Sequence, residues 1–327
     1  MAIRKGKRSP MKGDIPFNVH DLPMIDDRAY HLGLTPEEMA KDIIIVGDPE
    51  RVPFMANEFL DTKEVDRYHR GLRTITGYAK DTGLRVSIVT SGMGTPSLEI
   101  VLNEIVALNE IDFNKKERKK EYERINIIRV GTSGGLQSDT ELGTLIITDY
   151  VVGLDNTGLF YNSPYYDERC KVLEDRVRGV IDSALPANTR FKGRIFPYAS
   201  RAHQDIVSAL VREASEQDIK YKIGITVSNS GFFANQGRAA SRISPTIPDI
   251  DGLLASLDTG IEGLEIENME MEASFLLHFT CALGYRAGVI CPVIDNRRKG
   301  VFLGEYTQHI KDATSVALKA LHALSSK

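Results

Sequence analysis

Short β-branched runs alternate along the chain with longer segments whose apolar residues recur at helical spacing. Residues 43–46, three isoleucines and a valine, predict a strand buried on both faces. Behind them Val52, Met55, Ala56 and Phe59 share one helical face. Two further strands are predicted at 74–79 and 86–90, then a helix opened by Thr95 and Pro96, with Leu98, Val101, Leu102 and Ile105 inward. Strands at 125–130 and 144–152 follow, then a helix around 172–185, a strand near 194–196, a helix over 203–215 and a strand at 223–228. The segment 274–283 is strongly apolar, 287–293 is the last strand, and Ile310, Ala313, Val316, Ala317 and Leu321 predict a closing helix over about 307–324. This alternation is that of an α/β chain.

The carboxyl ends of these strands carry the chemistry. Arg129-Val130-Gly131-Thr132-Ser133-Gly134-Gly135 turns a buried strand into a loop of small and hydroxyl residues. Such a loop lets backbone amides approach an anion, with Arg129 supplying charge. It has neither the Gly-Lys-Ser/Thr of a Walker loop nor the GxGxxG spacing. In Gly47-Asp48-Pro49-Glu50-Arg51-Val52, Asp48 can cap a helix whose first residue is Pro49, placing Gly47 and Arg51 at an anion-binding N-terminus. An ordinary strand-to-helix turn with a surface arginine has the same pattern. Residues 91–97 form another small-residue loop. Residues 229–238 hold Phe232, able to stack on a planar ring, and Gln236 and Arg238, able to read a ring's donor and acceptor edge. Glu270 and Glu272 precede the apolar segment and need partners there, for which a sugar's hydroxyls are suited. His31 stands just before a capping box, Thr35-Pro36-Glu37-Glu38, and reads as structural or solvated on its own. Arg67, Arg70 and Arg73 read as a solvated face.

Composition narrows the class. A net charge of −4 argues against nucleic acid as the main partner, and 42% apolar residues suffice for a large core. Cys170, Cys281 and Cys291 are widely spaced with no CxxC pair, which suits reduced thiols in a cytoplasmic protein and neither a disulfide frame nor a zinc site. No apolar run has the length of a membrane span. Residues 1–28 read as a flexible, basic N-terminal extension, 29–327 as a single domain, and the charged run at about 113–124 as an exposed insertion or solvated helical extension.

Together these loops resemble the nucleoside phosphorylase superfamily, in particular its uridine phosphorylase branch, from about Tyr30 to the C-terminus. The segments 47–52 and 129–135 resemble the family's two phosphate loops. Asn268-Met269-Glu270-Met271-Glu272 resembles its ribose-binding segment, and Phe232 with Gln236-Gly237-Arg238 its uracil-reading signature. The resemblance implies one three-layer α/β domain with a central mixed, twisted, partly barrel-like sheet flanked by helices. It implies phosphate binding by Gly47, Arg51, Arg129 and Thr132, joined by Arg70 of a neighbouring subunit. Met271 and Glu272 would hold ribose, with His31 of the neighbour at the 5′-hydroxyl and the part of Glu270 open. Phe232, Gln236 and Arg238 would hold the base, supported by Arg297. It further implies a dimer-based homo-oligomer, in this branch usually a hexamer, and no cofactor beyond phosphate as co-substrate.

Two positions depart from the branch. Asp295 stands about where the purine branch carries a catalytic aspartate and the pyrimidine branch an apolar residue. Either it opens the site to purines, or it forms an ion pair with Arg297 or Arg298. Gly71 occupies a place where bacterial relatives often carry a potassium-binding glutamate, so no metal site is expected. The implied activity is reversible phosphorolysis of uridine. Arg51 and Arg129 would hold the phosphate that stabilises an oxocarbenium-like sugar, and Arg238 would stabilise the departing base. The competing readings are a purine or dual-specific phosphorylase using Asp295, a nucleosidase using water, and a non-catalytic nucleoside-binding protein.

Overall fold

The computed structural model describes residues 7–8 and 17–326. Its centre is a twelve-stranded sheet. The strands are β1 (Asp42–Val46), β2 (Leu60–His69), β3 (Leu72–Ala79), β4 (Arg85–Thr90), β5 (Asn126–Val130) and β6 (Ser133–Gly135). They continue as β7 (Leu145–Gly153), β8 (Tyr198–Arg201), β9 (Tyr221–Ser228), β10 (Ile266–Glu270), β11 (Arg286–Asn296) and β12 (Val301–Phe302). In space they run β8-β7-β9-β10-β6-β11-β5-β1-β4-β3-β2, with β12 beside β11. A second pairing, antiparallel between β7 and β11, closes β7, β9, β10, β6 and β11 into a mixed five-stranded barrel. The expected partly barrel-like mixed sheet is therefore present. The inner strands β1, β5 and β11 are parallel, and β1 and β5 are buried at every residue, the isoleucines and valines as expected and Asp42, Asn126 and Arg129 with them.

Seven helices flank the sheet: α1 (Arg51–Phe59), α2 (Thr95–Glu110), α3 (Glu168–Ala184), α4 (Gln204–Glu216), α5 (Ile250–Ala255), α6 (Ala273–Leu283) and α7 (Thr307–Ser325). One apolar core lies under α1, α2, α4, α6 and α7, and a second packs α3 and α5 on the barrel wall. α6 is apolar nearly all round and is correspondingly interior, burying Phe275, Leu276, Leu277 and Phe279.

Several boundaries depart from expectation. α1 starts at Arg51, not Pro49, because the Asp48 carboxylate accepts the Glu50 amide at 2.9 Å and holds 47–50 as a turn. The strand expected near 194–196 lies at Tyr198–Arg201: Pro197 has no N–H for a ladder, and Tyr198, not Phe196, is the buried aromatic. The charged run is a pair of short strands, Glu117–Arg118 and Tyr122–Glu123, not a helix. Phe113 and Tyr122 sink into the core there, and Arg118 pairs with buried Glu110. Of the expected N-terminal extension, residues 1–6 and 9–16 lie outside the described residues. Lys7–Arg8 pairs with Tyr122–Glu123, and Met24–Ile25 with Arg28–Ala29, while Leu22 is buried. β2 has no apolar periodicity, being exposed over most of its ten residues. It pairs with β3 through a turn at Arg70 (φ +53°) and Gly71 (φ +80°), the left-handed pair that a tight hairpin requires.

Candidate active site

The carboxyl ends of β1, β4, β5, β9, β10 and β11 converge on one cavity of about 480 Å³. This is where parallel strands leave a crevice between diverging loops. Gly47, Arg51, Arg129 and Thr132 line one part. Phe232, Gln236, Arg238 and Asp295 line another, and Met271, Glu270 and Glu272 also reach it. Every candidate contributed by these loops is therefore brought together. His31 and Arg70 lie elsewhere. His31 Nδ1 contacts Glu104 of α2 at 2.7 Å, and the Arg70 guanidinium lies 5.0 Å over the Tyr30 ring on the exposed hairpin tip.

Arg129 is buried, yet its charge is matched on two sides. Its Nε donates to Glu270 at 3.1 Å, and Nη2 donates to Glu272. Nη1 has no partner among the described residues and lies beside Gly47, 3.9 Å from where a side-chain carbon at that residue would sit. Burial opposes the guanidinium's charge, but Glu272 and then Glu270 outweigh it and hold its pKa above the ordinary value. Burial, aided by Glu270, pushes the Glu272 carboxyl upward against the pull of Arg129. Glu272 also accepts the Gly94 amide, which ties the loop after β4 to the site. That loop was noticed in the sequence without a role; its glycines, Gly92 (φ +71°) and Gly94 (φ +88°), give it away.

Glu270, whose part was open, is satisfied by the protein. Its oxygens accept the Ser228 hydroxyl, the amides of Glu272 and Ala273 at 2.9 Å each, and Arg129. Four donors saturate a carboxylate, so Glu270 has no acceptor position left for a ligand, whereas Glu272 and Met271 also line the cavity.

At the other end Arg238 stacks 4.4 Å over Phe232 and donates to Asp295 at 2.7 Å. Asp295 thus has an arginine partner, but it is Arg238 and neither Arg297 nor Arg298. Gly134 permits this: a side-chain carbon there would stand 2.7 Å from Asp295 Oδ1. Arg297 donates to the carbonyls of Gln236 and Gly237 and lies 3.6 Å from Asp251, so it braces the 236–238 turn from behind. Gly237 (φ +72°) makes that turn possible. Ile294 and Phe302 also line the cavity and carried no sequence signal beyond being apolar.

No group of three or more His, Cys, Asp or Glu positioned for a metal occurs among the described residues, and the three cysteines are free. Burial pushes the Cys291 thiol, close to Gly131, up to about 12, so it is protonated at neutral pH. No helix among the described residues is long and apolar enough to cross a membrane.

The uridine phosphorylase of Thermococcus kodakarensis is 29% identical over 90% of this chain and 86% of its own. A DeoD-type purine nucleoside phosphorylase of Roseobacter denitrificans is 26% identical over 90% of this chain and 99% of its own. The crystal structure of a Trypanosoma brucei nucleoside phosphorylase, described as showing uridine phosphorylase activity, superposes with a TM-score of 0.82 at 29% identity. That match covers 93% of this chain and all of the other. The family model described as the phosphorylase superfamily matches residues 41–326, and the chain belongs to that superfamily.

Proposed function

We propose that the chain catalyses the reversible phosphorolysis of uridine to uracil and ribose 1-phosphate, in cytoplasmic pyrimidine salvage. The observation that carries this reading is that one cavity is lined by Gly47, Arg51 and Arg129, whose Nη1 lacks a partner among the described residues, by Glu272 and Met271, and by Gln236 and Arg238. Phosphate sits against Gly47, Arg51, Thr132 and Arg129, with Arg70 of the partner subunit completing the arginine set. Arginine suits this place because its planar fork matches phosphate oxygens. Glu272 and Met271 hold the ribose, and His31 of the partner subunit meets its 5′-hydroxyl. The half-buried His31 and the exposed Arg70 both lie away from their own chain's cavity, which favours this sharing within a dimer-based homo-oligomer.

The C1′–N1 bond breaks as phosphate oxygen approaches C1′ from the opposite face. Bound phosphate stabilises the cationic sugar, and Gln236 and Arg238 stabilise the charge gathering on uracil. No covalent enzyme intermediate and no cofactor is required. Phosphorus NMR of the reaction tests the reading: a ribose 1-phosphate signal growing as uridine disappears supports it, and free ribose in its place would make the chain a nucleosidase.

One observation favours a second specificity. Asp295 lies in the base end of the cavity, and relatives of similar extent include purine phosphorylases. Asp295 can accept a hydrogen bond from a purine's ring N–H, which would make the enzyme dual-specific.

A further inference from the structure

The carboxyl ends of β9 and β10 hold a hydrogen-bonded chain that ends on Arg129. Ser228, the last residue of β9, is fully buried and does not line the cavity. Its hydroxyl accepts the Ser274 amide from the first turn of α6 at 2.8 Å. With that acceptor position taken, its proton is directed to Glu270 Oε1. Glu270 Oε2 receives Arg129 Nε. Register makes this arrangement: Ser228 and Glu270 stand side by side in the parallel β9–β10 ladder, on the same face. Ser274 in turn donates its hydroxyl to buried Asp155 at 2.7 Å, which fixes the α6 terminus that Ser228 reads.

We propose that Ser228 is a positioning residue for phosphate binding, acting through Glu270 on the orientation of Arg129. Glu270 has no oxygen position to spare for substrate, so its contribution is to aim the guanidinium. With Nε held by Glu270 and Nη2 by Glu272, Nη1 is the one guanidinium nitrogen with no partner among the described residues, and the plane of the fork is fixed. Removing the buried Ser228 hydroxyl takes one of four donors from Glu270. The carboxylate then tilts, and Nη1 swings from the phosphate position. The inference rests on the proposed phosphate site and is independent of which base is cleaved.

Titration calorimetry with inorganic phosphate, on the full chain in its native assembly, tests it without requiring turnover. Ser228→Ala should weaken phosphate binding on the order of ten-fold, the size of one charge-assisted hydrogen bond. Uridine affinity without phosphate should change less than about two-fold, and Ser228→Thr, which keeps the hydroxyl, should bind phosphate like the wild type. Unchanged phosphate affinity in Ser228→Ala, or equal losses for phosphate and uridine, would overturn the proposal. Should Ser228→Ala fail to fold, Glu270→Gln replaces it: phosphate binding is lost selectively if Glu270 aims Arg129, and retained if it does not. Wild-type chain that binds phosphate yet releases no uracil would contradict the uridine reading alone.

Discussion

Replacing Arg238 with alanine separates what this residue does for folding from what it does for catalysis. Three things are lost together: the 2.7 Å ion pair to Asp295, the cation over Phe232 and the donor edge proposed for the base. The Asp295 side chain is 14% exposed, so it is left short of a partner but still reaches water. That should cost about 1–3 kcal/mol of stability, below the penalty for a fully buried orphan charge. The cation–π contact adds about 0.5–1 kcal/mol. In the transition state the lost donor would have met charge developing on the departing base, worth about 2.7–4 kcal/mol, or 10²–10³ in kcat. Ultraviolet assay of uracil release gives the second number and thermal melting the first. Arg238→Ala with Asp295→Ala should recover much of the lost stability and none of the lost turnover, since the carboxylate is no longer stranded. Uridine cleavage by Arg238→Ala within about five-fold of wild type would refute the assigned role, because it would fall well short of the loss expected for a transition-state donor.

Further outcomes follow from the same geometry. Because burial raises the Glu272 pKa, its carboxylate is lost as pH falls through a value above the ordinary glutamate range. At saturating phosphate, kcat/KM for nucleoside should therefore fall on the acid side above about pH 4.3, and Glu272→Gln should lack that limb; an identical limb in the variant would assign it elsewhere. Arg70→Ala and Glu272→Gln should each be nearly inactive alone. Co-expressed, they should regain activity, since one mixed site in each heterodimer is intact; no recovery would mean that Arg70 serves its own chain. Arg118→Ala removes the ion pair from buried Glu110 and should lower Tm by about 2–6 °C while leaving kcat unchanged; an unchanged Tm would show that this ion pair does not help anchor the charged run.

What the sequence reveals here depends on which physical signal each residue leaves. The inner strands are legible because burial on both faces demands runs rich in β-branched residues, unbroken in 43–46 and interrupted only by Asn126 and Arg129 in 125–130. The edge strand β2 is not, since an exposed strand needs no apolar periodicity and only the Arg70–Gly71 turn betrays it. The charged run misled for the opposite reason: its charges are solvated, but Phe113 and Tyr122 anchor it from within. In the cavity, residues on glycine-rich strand ends were recoverable one loop at a time. Pairings across the barrel were not. That Asp295 meets Arg238 and that Ser228 meets Glu270 depends on strand register and on barrel closure between β7 and β11, neither of which local sequence encodes.

The most direct test of the central claim is base release from uridine and from inosine, each with and without phosphate. Phosphate-dependent release of uracil is the predicted result. Release of hypoxanthine alone would move the function to purines, and uracil release that ignores phosphate would contradict the assignment of Arg51 and Arg129 to a phosphate co-substrate.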